Sequence, residues 1–443
     1  MPMDLTTILK NVICNRIPGQ LVIQMTDRCN ARCPQCGMRV SSSFKRSTLS
    51  SDTVHRLIEA AAKKHFQAVS FTGGEPLLCK DELLDYIRHA GRASIPYIRT
   101  GTNGFIFRNP KQSGFRKRVY ELAEELAATP LRNFWISIDS SFDPIHEQMR
   151  GFCRVVEGIE TALPIFHEMG IYPAVNLGIN RNVCGVMTRA VKRNRFDSQK
   201  NYLDAFYAAF CSGFDRFYRR VVDMGFTMAN TCYPMSIDAQ EQKTGLSAVY
   251  AASAVDDVVR FNSDEKAMLY KALLRTVQKW RSKIRIFSPL CAIAALIAQY
   301  NGNSNGTKPL GCRGGIDFFF VNASDGDVYP CGYRGNENLG KLWELDLSDL
   351  ENRIHGEACH RCVWECFRDP TELMSPLLQA IASPGELFRR LIKKDRSLSL
   401  WLQDMHYYNA CHLFDGRRPP DFARMASYNS SLGQLMNLDA LNR

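Results

Sequence analysis

The sequence predicts an α/β protein with a parallel sheet, open or closed into a barrel, followed by a cysteine-rich segment and a helical tail. Three observations carry this. Short β-branched and aromatic runs alternate with longer amphipathic stretches, the pattern of strands joined by crossover helices. Polar or glycine-rich groups (CNARCPQC, GGEP, TNG, SIDSS) directly follow those runs, at the C-terminal strand ends where parallel α/β folds place their chemistry. The cysteines gather at two places, near residue 30 and beyond residue 310.

In chain order, the strand runs are LVIQM at 21–25, AVSFTG at 68–73, YIRTGTNG at 97–104, FWISID at 134–139, YPAVNLGI at 172–179 and GFTMANT at 225–231. SSDTVHRLIEAAAKKH and FRKRVYELAEELAATP are amphipathic helices between them. A basic, aromatic-rich stretch at about 185–222 reads as a helical insertion. Its Tyr202, Phe206, Tyr207, Phe210, Phe214 and Phe217 fall at helical spacing and are expected in the core. Another helical stretch fills about 263–300, and NGNSNGTKPLG at 301–311 is a turn-rich break. IDFFFV and DVYPC then flank NASDG as a hairpin, CHRCVWEC follows, and the remainder returns to a helical pattern. The expected division is a catalytic unit at 1–300, a cysteine-rich unit at 301–370 and a helical extension at 371–443.

Length and composition narrow the function. The 443 residues, 45% hydrophobic and 23% charged, suit a globular chain with one large domain and smaller ones. No apolar run approaches the roughly 20 residues of a membrane span, and the N-terminus carries no secretory pattern. A soluble, cytoplasmic protein is therefore expected, with no membrane partner. In a reducing compartment, sixteen cysteines argue for metal ligation or catalysis rather than disulfides. The net charge of +11 admits an acidic partner. The basic residues are scattered, as in Arg116–Arg118, Lys192/Arg193/Arg195 and Arg389/Arg390/Lys393/Lys394, and no nucleic-acid motif accompanies them.

The strongest local motif is Cys29-Asn-Ala-Arg-Cys33-Pro-Gln-Cys36, directly after the first strand. Pro34 and the preceding strand favour a loop over a helix. Soft thiolates select zinc or iron–sulfur clusters. Three cysteines without a fourth ligand nearby make a poor closed zinc site, but suit a four-iron cluster with one open iron.

This C-x3-C-x2-C loop resembles the fingerprint of the radical S-adenosylmethionine superfamily. The resemblance implies a partial (β/α)6 TIM-like barrel and a [4Fe-4S] cluster on Cys29, Cys33 and Cys36, the catalytic centre. S-adenosylmethionine would chelate its open iron. Gln35 departs from the aromatic residue common before the third cysteine. Gly73, Gly74, Glu75 and Pro76 resemble the family's GGEP, whose carboxylate accepts from the cofactor's amino group. Asn103 lies in a similar turn, TNG. Ser137 and Asp139, followed by His146 and Arg150-Gly151, are similar to S-x-D…H…R-G. The resemblance gives Ser137 and Arg150 the methionine carboxylate, a role suited to a guanidinium fork. It places Asp139 near ribose or substrate and makes Asn176 a candidate ribose contact.

Cys312, the G-x4-C ending at Cys331, and Cys359, Cys362 and Cys366 are similar to the twitch or SPASM extensions of this superfamily, which hold auxiliary clusters. The full seven-cysteine set is absent. One auxiliary [4Fe-4S] cluster is implied, on Cys312, Cys331, Cys359 and Cys362, with Cys366 replacing one of them or free; a structural zinc ribbon is the alternative. Cys14, Cys79, Cys153, Cys184, Cys211 and Cys291 are expected as small buried hydrophobes. Cys232 is expected to face the substrate cavity.

The resemblance implies an enzyme that cleaves S-adenosylmethionine reductively and removes hydrogen from an unactivated carbon, with an oxidoreductase-like outcome. It also implies a reducing partner such as flavodoxin or ferredoxin and a small-molecule or peptide substrate. A ribosomal-peptide maturase is one specific form; the 28 residues before Cys29 are too few for a folded leader-binding domain, which favours a small substrate. A zinc- or cluster-stabilised nucleic-acid-binding protein and an electron-transfer scaffold are the alternatives from other classes.

Overall fold

The computed structural model describes residues 16–36, 46–237, 242–243, 245–249, 257–301, 312–350, 359, 362–392, 395–412 and 415–427. Cys14, the turn-rich 302–311, Lys393, Lys394 and the tail beyond 427 lie outside the described residues.

Strands β1 (Gln20–Thr26), β2 (Ala68–Gly73), β3 (Tyr97–Thr102), β4 (Asn133–Ser137), β5 (Ala174–Gly178), β6 (Met228–Cys232) and β7 (Arg285–Ile286) pair in sequence order, each parallel to the next. The sheet is open, with β7 at one edge. On the other side of β1 lies β8 (Phe318–Val321), also parallel, and β9 (Val328–Tyr329) pairs antiparallel with β8. The fold is the partial barrel that the alternation predicts. The expected hairpin is present, and it continues the barrel's own sheet. Its four apolar residues, Phe318–Val321, are all buried, the composition of a strand covered on both faces.

Helix α1 (Ser51–Lys63) shows why the crossovers form. The Ser50 side chain caps it by accepting from the Thr53 amide, Asp52 and Lys63 complement the helix dipole, and Val54, Leu57, Ile58 and Ala61 bury one stripe. Each fully buried aliphatic chain in that stripe contributes about 1.5–3 kcal/mol. Helices α2 (Lys80–Arg92), α3 (Phe115–Ala127), α4 (Asp143–Arg150) and α5 (Val155–Glu168) follow in turn.

The segment expected as an insertion is the crossover itself. After the short α6 (Val186–Arg189), helix α7 (Gln199–Met224) joins β5 to β6, and parallel neighbours require such a connection. Tyr202, Phe206, Phe210, Phe214 and Phe217 are buried as predicted, and Tyr207 is half-buried. The stretch expected as one helix at 263–300 is α8 (Ser263–Trp280), the two-residue β7, and α9 (Leu290–Tyr300). Asn262 and Glu265 form a reciprocal capping box at the start of α8.

The C-terminal helices α10 (Glu365–Ala382), α11 (Pro384–Ile392) and α12 (Arg396–Cys411) pack back onto this frame. Asp404 of α12 is fully buried; its carboxylate accepts from Arg281 and from the Leu290 and Cys291 amides that open α9. No described helix is long and apolar enough to cross a membrane.

Candidate active site

The inner face of the barrel is polar. Alternation along β3 to β6 directs Arg99 and Gly101, Trp135 and Ser137, Asn176, and Asn230 and Cys232 to one side. A cleft at the C-terminal strand ends is lined by Gly73, Gly74, Glu75, Asn103, Ser137 and Arg150 together with Trp135. With Pro76, seven of the residues singled out in the sequence thus come together in one place.

The GGEP turn is fitted to the cysteine loop by backbone contact. The Gly74 amide donates to Thr26 O at 2.7 Å and the Glu75 amide to Arg28 O at 2.9 Å. A Cβ at Gly73 would lie 2.2 Å from Thr26 O, and one at Gly74 would lie 2.2 Å from Arg28 O. No other residue type fits there without moving the backbone. Glu75 is fully buried; its Oε1 accepts from the Leu77 amide at 3.0 Å and its Oε2 from the Asn103 amide at 2.6 Å. Burial pushes its carboxyl up to about 7 against those donors. Asn103 closes the arrangement, donating from Nδ2 to Asn30 Oδ1 at 2.9 Å and toward Cys29 Sγ at 3.6 Å.

Arg150 sits on the other side of the loop. Its Nε donates to Asp139 Oδ2 at 2.6 Å. Burial works to lower its pKa, but Asp139 and the thiols of Cys33 and Cys36 hold it above its ordinary value. The pair is buried, not the surface ion pair that an arginine at a helix end usually makes. Asp139 is thus the buried partner of Arg150. Fully buried His146 accepts from the Asp139 amide through Nδ1 at 3.1 Å, and burial lowers its pKa to about 4, so it is neutral. Asn176 Oδ1 accepts from Asn230 Nδ2 at 2.8 Å and lies 3.3 Å from Cys232 Sγ. It belongs to the lumen beneath the cleft.

The donor set suits the groups that the sequence implied. Cys33 is buried with Cys29 and Cys36 as electrostatic neighbours, and burial pushes its thiol up to about 12 against the pull of Arg150. A thiolate there needs a cation, which metal binding supplies. The Ala31 amide points at Cys29 Sγ at 3.4 Å. Buried Gln35 Oε1 has no hydrogen-bond partner among the described residues. Also among the described residues, no three Cys, His, Asp or Glu side chains converge on a single metal ion; a cluster distributes its thiolates over separate irons.

The second cysteine group repeats the same local device. The Gly314 amide lies 3.4 Å from Cys312 Sγ, the Tyr333 amide 3.4 Å from Cys331 Sγ and the Trp364 amide 3.4 Å from Cys362 Sγ. Cys331 is raised by burial and then by Cys362, Cys312 and Cys359. Arg368 and Arg334 pull the Cys312 thiol back down. Both arginines went unnoticed in the sequence, because nothing in their spacing ties them to the cysteines. Cys366 faces another way: its Sγ lies 3.4 Å from Glu365 Oε1, and Arg99 is a further neighbour. Of the remaining cysteines, Cys184 and Cys291 are buried, Cys79 and Cys211 are half-buried and Cys153 is exposed, contrary to expectation. Cys153 lies in the turn between α4 and α5, outside either amphipathic stripe.

Comparison with known proteins gives a match to the Radical SAM superfamily over residues 23–179. The GTP 3',8-cyclase of Syntrophomonas wolfei is 34% identical over 166 residues, covering 36% of this chain and 47% of that one. The probable GTP 3',8-cyclase of Pyrococcus abyssi is 29% identical over 163 residues, covering 36% and 48%. The chain thus spans about half the length of the curated relatives it matches. Among solved structures, anSMEcpe with bound AdoMet is similar at 16% identity and a TM-score of 0.46, covering 85% of this chain and all of that one. Streptococcus suis SuiB bound to precursor peptide SuiA is similar at 13% identity and a TM-score of 0.48, covering 81% and 73%.

Proposed function

We propose, for a chain whose residues 23–179 form a radical S-adenosylmethionine superfamily domain, that the whole protein is an enzyme acting on a small-molecule or peptide substrate held in the barrel lumen. One observation carries this reading: Glu75, Asn103 and Arg150 are fixed around the cysteine loop at one cleft, with Glu75 locked by two backbone amides. When bound, a reduced cluster and S-adenosylmethionine together supply a carbon radical able to take hydrogen from an unactivated carbon.

The chain's own residues bind and orient. Cys29, Cys33 and Cys36 would hold the first cluster. Glu75 accepts from the cofactor's ammonium through the lone pairs left by the two amides, and Arg150, with Ser137 beside it, takes the carboxylate. Asp139 positions Arg150, and neutral His146 positions Asp139 through its amide. Gly101 leaves room in the cleft: a Cβ there would meet the Trp135 indole at 2.2 Å.

Cys312, Cys331, Cys359 and Cys362 would hold one auxiliary cluster, with Arg334 and Arg368 offsetting its negative charge. An electron leaving an oxidised substrate could pass to it, and a flavodoxin or ferredoxin would reduce the first cluster. The cyclase relatives match only about a third of this chain, so cyclisation of GTP is not carried over to it. The cytoplasmic setting follows from the same reading, since the thiols need a reducing compartment.

The test is anaerobic reconstitution with iron and sulfide, followed by dithionite and S-adenosylmethionine. About eight irons per chain, with 5′-deoxyadenosine formed by the native chain and not by Cys33→Ala, supports the reading. Bound zinc in place of iron, or no cleavage by reduced protein, overturns it.

A further inference from the structure

Cys232 ends β6 and Cys366 opens α10, 134 positions later in the chain. They nevertheless meet at the same carboxylate. Cys366 Sγ lies 3.4 Å from Glu365 Oε1, and the same carboxylate is an electrostatic neighbour of the Cys232 thiol. Cys232 also lies 3.3 Å from Asn176 Oδ1, on the strand that neighbours the cleft. Glu365 is buried, whereas both thiols remain half-buried. Arg99, whose Nε donates to the Ser70 hydroxyl on the lumenal face, is an electrostatic neighbour of both Glu365 and Cys366.

The placement separates Cys366 from the other C-terminal cysteines. Cys312, Cys331, Cys359 and Cys362 influence one another, and three of them carry the amide-to-sulfur contact from two residues ahead. Helix α10 begins between Cys362 and Cys366. Its first turn carries Glu365 and Cys366 side by side, with Arg99 as an electrostatic neighbour of both.

We infer that Cys232 and Cys366 are a paired hydrogen-donating site of the lumen, served by Glu365, and that Cys366 ligates no metal. The inference rests on the radical reading above and adds to it a fate for the radical. A thiol S–H is weak enough to be broken by a carbon-centred radical. In the step, the S–H bond breaks homolytically and a C–H bond forms, leaving a thiyl on one of the two sulfurs. One electron from a low-potential donor and one proton from Glu365 restore the thiol, and Glu365 regains its proton from solvent. Asp369, one turn along α10, is held by Tyr233 at 3.0 Å and is an electrostatic neighbour of Glu365. The two carboxylates stand close enough for one to remain protonated.

The experiment uses the reconstituted full chain with S-adenosylmethionine and dithionite in D2O, with no substrate added. Thiol hydrogens exchange with solvent and carbon-bound hydrogens do not, so a radical quenched by this pair yields 5′-deoxyadenosine carrying one deuterium, read by mass spectrometry. The deuterated fraction should fall roughly fivefold or more in the Cys232→Ala/Cys366→Ala double variant. Cys366→Ser should not restore it, because an alcohol O–H is far stronger than a thiol S–H. Iron content should be unchanged in Cys366→Ala and fall by about four per chain in Cys362→Ala. An unaltered deuterated fraction in the double variant, or a loss of about four irons in Cys366→Ala, overturns the inference while leaving the radical reading intact. Absence of 5′-deoxyadenosine from the native chain overturns both.

Discussion

Arg150 Nε and Asp139 Oδ2 lie 2.6 Å apart in a pair that is almost wholly withdrawn from solvent. The aspartate fixes the guanidinium, which has Cys33 and Cys36 as further electrostatic neighbours. Removing one partner of a buried ion pair leaves the other uncompensated, at a cost of about 3–5 kcal/mol. Asp139→Asn should therefore weaken S-adenosylmethionine binding by roughly 30-fold or more while the first cluster still assembles. Isothermal titration of the reconstituted protein checks the affinity and iron analysis the cluster. Unchanged affinity would mean that Arg150 does not hold the cofactor.

The glycines of the GGEP turn make a steric prediction. Gly74→Ala would drive a methyl group into the Arg28 carbonyl at 2.2 Å, and that carbonyl already accepts from Glu75 N. Neither side can yield without moving the cysteine loop. We expect a loss of about 1–3 kcal/mol of stability and markedly reduced iron retention. Gly340→Ala is the comparison: its φ of +79° disfavours a side chain, but its Cβ would meet nothing within 4 Å. Thermal melting and iron content of the two variants separate steric conflict at the loop from the general effect of losing a glycine.

Two buried groups near the cleft act on stability in opposite directions. Glu75 has its carboxyl raised from 4.5 to about 7, so its contribution is full below pH 4.5 and is lost as pH rises through 7. His146 is lowered from 6.5 to about 4, so its contribution is present above pH 6.5 and lost as pH falls through 4. In the native chain the two slopes oppose each other between pH 4.5 and 6.5. Glu75→Gln should remove one of them, leaving stability that rises with pH across that window. Denaturant titrations at several pH values test this. The cofactor's affinity in the native chain should also fall below pH 7, where Glu75 takes up the proton that stops it accepting from an ammonium.

The reach of the sequence follows from what each element depends on. Strands β1 to β6 were legible because their hydrophobicity is local, and the GGEP, TNG and S-x-D groups because strand ends are where such residues gather. Strand β7 was not, since a two-residue strand has no period to detect and its pairing with β6 exists only in the fold. The helix α7 is legible in its aromatic spacing, but its role as the crossover depends on the pairing of β5 with β6, which no local pattern encodes. Asp139 carried a recognisable motif whose partner only the fold supplies. The shared neighbourhood of Cys232 and Cys366 at Glu365 joins residues far apart in the chain, and no spacing encodes it.

Arg334 and Arg368 set up a prediction for the second cysteine group. Both guanidiniums lower the Cys312 thiol, and Arg368 also donates to the Cys362 carbonyl at 2.8 Å. A cationic neighbour favours the more negative, reduced form of a cluster. Arg334→Gln should therefore shift the auxiliary cluster's potential downward, on the order of 50 mV for one partly screened charge, with iron content retained. Redox titration followed by electron paramagnetic resonance reads this directly, and an unmoved potential would place Arg334 outside the cluster's field.

The C-terminal helices are held by one polar junction that can be tested apart from the chemistry. Asp404 of α12 receives the Arg281 guanidinium at 2.6 Å and the Leu290 and Cys291 amides at 3.0 and 2.9 Å. A carboxylate at a helix N-terminus is favourable in itself, and here it also neutralises a buried arginine. Asp404→Ala removes the carboxylate facing that buried arginine and the acceptor of two helix-end amides, so destabilisation of about 3–5 kcal/mol is expected. Asp404→Asn should cost less, because an amide oxygen in the place of Oδ1 still accepts from Arg281 and the Leu290 amide while the charge is lost. Melting curves of the two variants should fall in that order. Equal melting of Asp404→Ala and the native chain would mean that α12 is held by its apolar contacts alone, with the junction contributing only register.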